Sequence, residues 1–303
     1  MKPVFAGLWP PVSTPFRADG ALDEKRLATH AKRLLADGAH GLAILGTTSE
    51  ANSLTLEERR RSIDILVESG VRPGQLLPGT GACAVGDAAT LTRHAGEIGA
   101  AGVLLLPPFY YKKVADDGLF NFVAAVIDKS GPKVPKIMLY HIPPMASLGW
   151  SVDLVGRLRD AFPEVIAGMK DSSGDPEHTR KMVEAFPDLD IFPGAEVYLL
   201  KALSWGARGC ISASANINAH GIRRLLDRRD QPDAAALQEE LNAVRKAAEA
   251  RVMIPSLKAV LAERYRDPVW LNVRPPLLRI SETHRAELLA EPAIRRLLEM
   301  APA

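Results

Sequence analysis

The sequence is poor in cysteine, poor in aromatic residues and carries no surplus of either charge. Its 2 cysteines, Cys83 and Cys210, are too few for a disulfide framework and lack metal-ligand spacing. They are expected to be small buried hydrophobes. With 38 basic and 36 acidic side chains the net charge is +2. That balance gives no electrostatic case for nucleic acid or an anionic membrane surface as a partner. No stretch of about 18 apolar residues is present, so no membrane span is expected. The opening MKPVFAGLWPPVSTPF has nothing like a secretory h-region, which makes the cytoplasm the expected location. No low-complexity tract or linker interrupts the chain, and no GxGxxG follows an apolar run, which argues against a doubly wound dinucleotide fold.

What is there is an alternation. Short apolar runs ending in Gly, Pro, Ser or Thr recur at 5–12, 41–46, 75–79, 102–107, 136–140, 165–169, 190–193 and 208–212. Helix-like segments lie between them, at 23–37, from Thr55 to before Gly70, and at 87–99, 118–129, 151–161, 176–186 and 196–205. Leu27, Ala31, Leu34 and Leu35 share one face of the first, and Thr55-Leu56-Glu57-Glu58 reads as a capping box. Strands separated by helices pair in parallel, because each crossover returns over the sheet. Eight such units predict an α/β fold, a (β/α)8 TIM barrel over residues 1–225. The remainder, 226–303, reads as a C-terminal helical extension packed on the barrel, with Ala234–Ala250 rich in helix formers.

Chemistry in such a barrel sits at the C-terminal ends of the strands. Polar residues cluster there. The second run ends in Gly46-Thr47-Thr48-Ser49-Glu50, the fourth leads to Phe109-Tyr110-Tyr111, the fifth ends in Tyr140-His141, the sixth in Lys170 and the seventh in Gly194-Ala195-Glu196. A lysine after a core strand either reaches solvent or works. Sheltered in a barrel mouth, a lysine amine is freed to attack a ketone and form a Schiff base, whose iminium is an electron sink. Tyr140 ends the strand before the lysine strand, and a phenol there either closes the core edge or passes a proton beside an iminium. Thr47 and Thr48 make either an ordinary capped turn or a cradle for a carboxylate. Strand alternation turns His141 and Asp171 away from the cavity, where Asp171 can cap the loop at Ser172 and Ser173.

Gly46-Thr47-Thr48-x-Glu50, Tyr140-x-x-Pro143 and Gly168-x-Lys170-Asp171-Ser172-Ser173-Gly174, in this order, resemble the dihydrodipicolinate synthase / N-acetylneuraminate lyase family, the Schiff-base-forming class I aldolases. The likeness runs over essentially the whole chain, to Arg274-Pro275-Pro276. It implies that Lys170 is the Schiff-base lysine and Tyr140 the proton shuttle. Thr47 and Thr48 would hold the carboxylate of a 2-oxo acid, often pyruvate. Tyr111 would reach into a neighbouring subunit's site and join Thr48 and Tyr140 in a relay. That in turn implies a homotetramer, a dimer of dimers. The Ile211 carbonyl would line the pocket. The resemblance calls for no metal and no organic cofactor.

Departures bear on the substrate. Ser49 replaces the family's usual second glycine. Met145 stands where dihydrodipicolinate synthases place an arginine that grips the second substrate's carboxylate, and a thioether cannot make that charged contact. Only one acid, Glu196, follows Gly194, where the sialic acid branch has a pair; it either takes a substrate hydroxyl or starts the next helix. Ala213 and Ala215 offer no hydroxyl. The reading is therefore a lyase or aldolase joining or splitting pyruvate and an aldehyde with a short or partly hydrophobic remainder. A dehydratase of a 2-keto-3-deoxy sugar acid, and dihydrodipicolinate synthase (4-hydroxy-tetrahydrodipicolinate synthase) despite Met145, are the alternatives. A non-catalytic 2-oxo acid sensor is a further class, disfavoured by the presence of both Lys170 and Tyr140.

Overall fold

The computed structural model describes residues 4–300. Residues 1–3 and 301–303, which the expected barrel and extension include, lie outside the described residues. Six strands form parallel ladders: Gly7–Leu8, Val103–Leu105, Ile137–His141, Ile166–Asp171, Asp190–Pro193 and Gly209–Cys210. Two further staves, at 42–44 and 76–79, are held by single parallel bridges, Leu42 to Leu76 and Gly79 to Leu104. Backbone hydrogen bonds carry the ring through them, including His40 N to Leu8 O, Leu77 N to Leu42 O and Leu104 N to Pro78 O. Arg208 N donates to Ile191 O, and Gly7 pairs with Gly209, which closes the circle. All eight expected runs are therefore staves of one closed (β/α)8 barrel. Closure is tight at Gly209, whose φ is 150° and where a Cβ would lie 1.9 Å from Gly7 O, so only glycine fits.

Alternation along the staves sorts the side chains. Phe5, Trp9, Ala43, Leu77, Leu104, Met138, Ala167, Phe192 and Ile211, drawn from all eight staves, fill the barrel interior. Their neighbours face the helices: Val103, Leu105, Ile137, Leu139, Met169 and Ile191 pack with Phe122, Val126, Leu154 and Met182. Gly168 allows the sixth stave to approach the seventh, since a Cβ there would meet Asp190 O at 2.1 Å. The lumen is thus a packed plug, and the site sits above it.

The helices fall close to their expected places. Thr55 caps Leu56–Glu68 with the full capping box, and Asp23 caps Glu24–Ala36. The expected helix 196–205 is broken into a 3-10 turn, Glu196–Tyr198, and the helix Leu199–Trp205. The short turn Pro143–Ala146 and the kink at Asn218 inside Ala215–Asp227 were not expected. Beyond the barrel the helices Ala234–Glu249, Met253–Tyr265, Glu282–Ala290 and Pro292–Glu299 pack around Val244, Leu257, Val260, Trp270 and Leu297. One cysteine departs from expectation. Cys210 is buried, but Cys83 is exposed in the loop before the helix Val85–Ile98, because that loop crosses the rim and not the core. Among the described residues no helix is long and apolar enough to cross a membrane.

Candidate active site

Tyr140 and Lys170 are register partners on the fifth and sixth staves. The next pair along, His141 and Asp171, faces the other way. Both inward side chains are buried, at 4% and 3% exposure, and the Lys170 Nζ stands 4.1 Å from the centroid of the Tyr140 ring. Lys170 has no ion-pair partner among the described residues, whereas the other deeply buried lysine, Lys258, is paired with Glu50. A buried, unpaired amine beside a phenol has the chemistry for attack on a carbonyl and for proton transfer at the adduct.

The turn after the second stave reaches the same place. Thr47 Oγ1 and Tyr140 Oη are 3.1 Å apart, close enough for either hydroxyl to donate. This differs from the expected relay, in which Thr48 joins the phenol. Thr48 is buried and makes no hydrogen bond to Tyr140, because the turn carries Thr47 and not Thr48 toward the phenol. The turn itself is fixed by Ser49 N and Ala51 N donating to Gly46 O, and by Glu50 N donating to Thr47 O. Serine in place of glycine at 49 has a use: its Oγ donates to Val12 O at 2.6 Å, tying the turn to the first stave.

The remaining expected residues divide. Ile211 is fully buried, donates its N–H to Pro193 O and leaves its carbonyl without a donor among the described residues. Tyr111 and Tyr110 are 73% and 72% exposed, their rings edge to face at 5.3 Å. Within one chain Tyr111 therefore does not touch the phenol of Tyr140. Met145 is 68% exposed on the Pro143–Ala146 turn. Glu196 is a correction. Both of its carboxylate oxygens accept hydrogen bonds from the Ser212 and Ser214 hydroxyls, Arg245 lies 3.7 Å away, and its side chain is buried. It is committed to the protein and is not an open acceptor for a substrate hydroxyl.

Behind the site, outside the staves, lies a clamp. Trp150 N donates to His141 Nδ1 at 3.0 Å and Trp150 Nε1 to Tyr140 O at 3.1 Å, which locks the end of the fifth stave. His141 stacks on His178 with ring centroids 4.2 Å apart, and burial first, then the neighbouring His178, pushes His141 down to about 4. Asp171 accepts from His178 Nδ1, Thr179 Oγ1 and Ser173 N. Burial alone would raise its pKa, but those hydrogen bonds outweigh burial and hold it below the usual carboxylate range. His141, Asp171 and His178 each offer a ligand atom within 4.8 Å of the others. Two imidazoles lying 11° from parallel, one above the other, point their in-plane lone pairs side by side rather than at one point. The group is therefore a clamp on the stave ends by geometry.

Arg59, Trp150 and His178 were missed in the sequence. Arg59 is buried, donates from Nη2 to Gly79 O and Gly81 O, and with Thr47 and Tyr140 lines a cavity of about 20 Å³, the size of one water. Burial pushes it down to about 10. It sits in the charged run Glu57–Arg61, which gives no sign of it. Lys258 did carry a signal, as a lone cation in Leu257-Lys258-Ala259-Val260-Leu261.

A model of the dihydrodipicolinate synthetase family matches residues 4–292. A 4-hydroxy-tetrahydrodipicolinate synthase from Thermus thermophilus is 39% identical over 214 residues, 70% of this chain and 70% of the relative. The crystal structure of dihydrodipicolinate synthase from Agrobacterium tumefaciens is 33% identical and superposes with a TM-score of 0.89, covering 97% of this chain and 99% of that one. A prophage protein of the dihydrodipicolinic acid synthase family from E. coli K12, solved in complex with pyruvate, is 28% identical with a TM-score of 0.88, covering 97% and 98%. The closed barrel agrees with these matches, and the chain belongs to the dihydrodipicolinate synthetase family.

Proposed function

We propose that this chain is a lyase that forms a Schiff base between Lys170 and a 2-oxo acid, and makes or breaks the bond between a pyruvate unit and an aldehyde. The observation that carries the reading is the register pairing of two buried side chains, Tyr140 and an unpaired Lys170, with the amine 4.1 Å from the phenol ring. The amine adds to the ketone and water leaves, giving the iminium. The Tyr140 oxygen takes the proton of the C4 hydroxyl, the C3–C4 bond breaks, and its electron pair flows into the iminium. An aldehyde departs, the enamine is reprotonated at C3, and water releases pyruvate. The Thr47–Thr48 turn receives the carboxylate on its N–H groups and hydroxyls, and Thr47 carries the phenol's proton onward.

Nothing in this sequence of steps needs a metal or an organic cofactor. The exposed Tyr110–Tyr111 pair suits a homotetramer in which Tyr111 completes a partner's site. Free thiols at Cys83 and Cys210 suit the cytoplasm. The solved relative in complex with pyruvate supports pyruvate as the donor half. Incubation with 4-hydroxy-2-oxo acids, from short and apolar ones to 2-keto-3-deoxy sugar acids, and product analysis tests the reading. Pyruvate plus an aldehyde, lost in Lys170→Ala, is the expected result. A product of unchanged carbon count identifies a dehydratase and overturns the carbon–carbon step.

A further inference from the structure

The Thr47–Thr48 turn ends at Glu50, whose backbone is left-handed at φ 56° and ψ 34°. Its side chain turns inward to Lys258 on the helix Met253–Tyr265, and both side chains are fully buried. Each partner is also held by a backbone group of the segment that follows that helix. Lys258 Nζ donates to Asn272 O at 2.8 Å, and Arg274 N donates to Glu50 Oε2 at 2.9 Å. The surroundings fix that segment in turn. Asn272 Nδ2 donates to Phe16 O, Arg274 forks onto both carboxylate oxygens of Glu58 at 2.6 and 2.7 Å, and Lys258 and Arg274 both lie 4.6 Å from the Phe16 ring centroid. Burial pushes Lys258 down to about 8 against the pull of Glu50.

A buried ion pair adds little net stability, because desolvation of both charges offsets their attraction, and an apolar pair of similar volume often does as well. What the ion pair supplies is direction. On one side the turn is tied to the end of the first stave by Ser49 Oγ donating to Val12 O, and to the segment just after it by Thr14 Oγ1 donating to Ser49 O. On its other side Glu50 is the residue that ties it to the C-terminal extension.

We propose that Glu50 and Lys258 are positioning residues through which the C-terminal extension sets the Thr47–Thr48 turn to receive the carboxylate of the 2-oxo acid. The inference rests on the Schiff-base reading of the site and adds a role for residues that touch no substrate. It is tested by trapping the Lys170 adduct with borohydride over a range of pyruvate concentrations, with thermal unfolding measured beside it. The set is the wild type, Lys258→Met, the double variant Glu50→Met/Lys258→Met, and Glu50→Asp. Lys258→Met is expected to lose stability, since it strands a buried carboxylate, and the double variant to regain most of it. The double variant and Glu50→Asp are expected to need at least about tenfold more pyruvate for half-maximal trapping, with the same yield at saturation. That corresponds to about 1.4 kcal/mol of carboxylate binding. Wild-type half-saturation in a double variant of recovered stability overturns the proposal. If the double variant does not fold, Glu50→Asp decides: it keeps the charge and shortens the tether, so an unchanged half-saturation overturns the proposal. Failure of the wild type itself to trap pyruvate overturns the Schiff-base reading, and this inference with it.

Discussion

At the scale of single residues, the site is a buried amine, a phenol and a threonine hydroxyl that meet above a filled barrel. Their roles separate by substitution. Lys170→Arg is expected to abolish turnover and adduct formation, since a guanidinium is not a nucleophile at neutral pH. Tyr140→Phe is expected to keep adduct formation but lower kcat by about 10²–10⁴, the usual worth of a positioned acid or base. Single-turnover trapping against steady-state kinetics distinguishes the two. Met145→Arg falls on an exposed turn, so its effect on stability should stay within about 0.5 kcal/mol. If position 145 faces the second substrate, this variant gains about 1.5–3 kcal/mol, roughly 10–150-fold in kcat/KM, for an aldehyde that carries a carboxylate over one that does not. An unchanged ratio in an aldehyde screen would remove position 145 from the pocket. Lys170, Tyr140 and the threonine turn were legible because strand ends in a barrel expose function and these residues stood at strand ends. Choosing Thr47 over Thr48 was not legible, since both lie in one turn and only its fold decides which hydroxyl meets the phenol. Glu196 read as an open acid because the two serines and the arginine that occupy it come from other elements.

At the scale of elements, pH reports how the pieces are held together. His30 lies fully buried between Tyr265 Oη and Asn216 Oδ1, joining the first helix to the helices 215–227 and 253–265, and burial pushes it down to about 4. His141 in the stave clamp is pushed to the same value. Both folded values lie below the ordinary 6.5, so the unfolded chain binds more protons between pH 6.5 and 4. Stability is therefore present above about pH 6.5 and is lost as pH falls through that window, by up to about 1.4 kcal/mol per unit for each histidine. Urea unfolding at pH 7, 6 and 5 checks this, and His30→Gln should flatten the slope by one proton's share. The alternation of apolar runs with amphipathic segments made the eight staves and most helices legible. The staves at 42–44 and 76–79 form no extended ladder, yet their apolar pattern still marked them, because burial inside the barrel and not ladder length sets that pattern. The Pro143–Ala146 turn and the Asn218 kink left no period to read.

At the scale of the whole molecule, one plug fills the lumen, helices wrap the staves, and the C-terminal helices reach back to the rim through Lys258. Phe192, fully buried in the plug, tests that arrangement: Phe192→Ala is expected to cost about 3–5 kcal/mol in chemical denaturation. The exposed Tyr110–Tyr111 pair tests the assembly. Sedimentation should give a tetramer, and Tyr111→Phe should lower kcat while leaving that tetramer and the adduct yield unchanged. The central claim, that the Lys170 amine adds covalently to a 2-oxo acid, is met most directly by borohydride reduction of the protein with pyruvate, followed by peptide mass mapping. The expected result is a single reduced pyruvate adduct on Lys170, absent in Lys170→Ala. A wild-type protein that gains no mass, or gains it on another lysine, would contradict the claim.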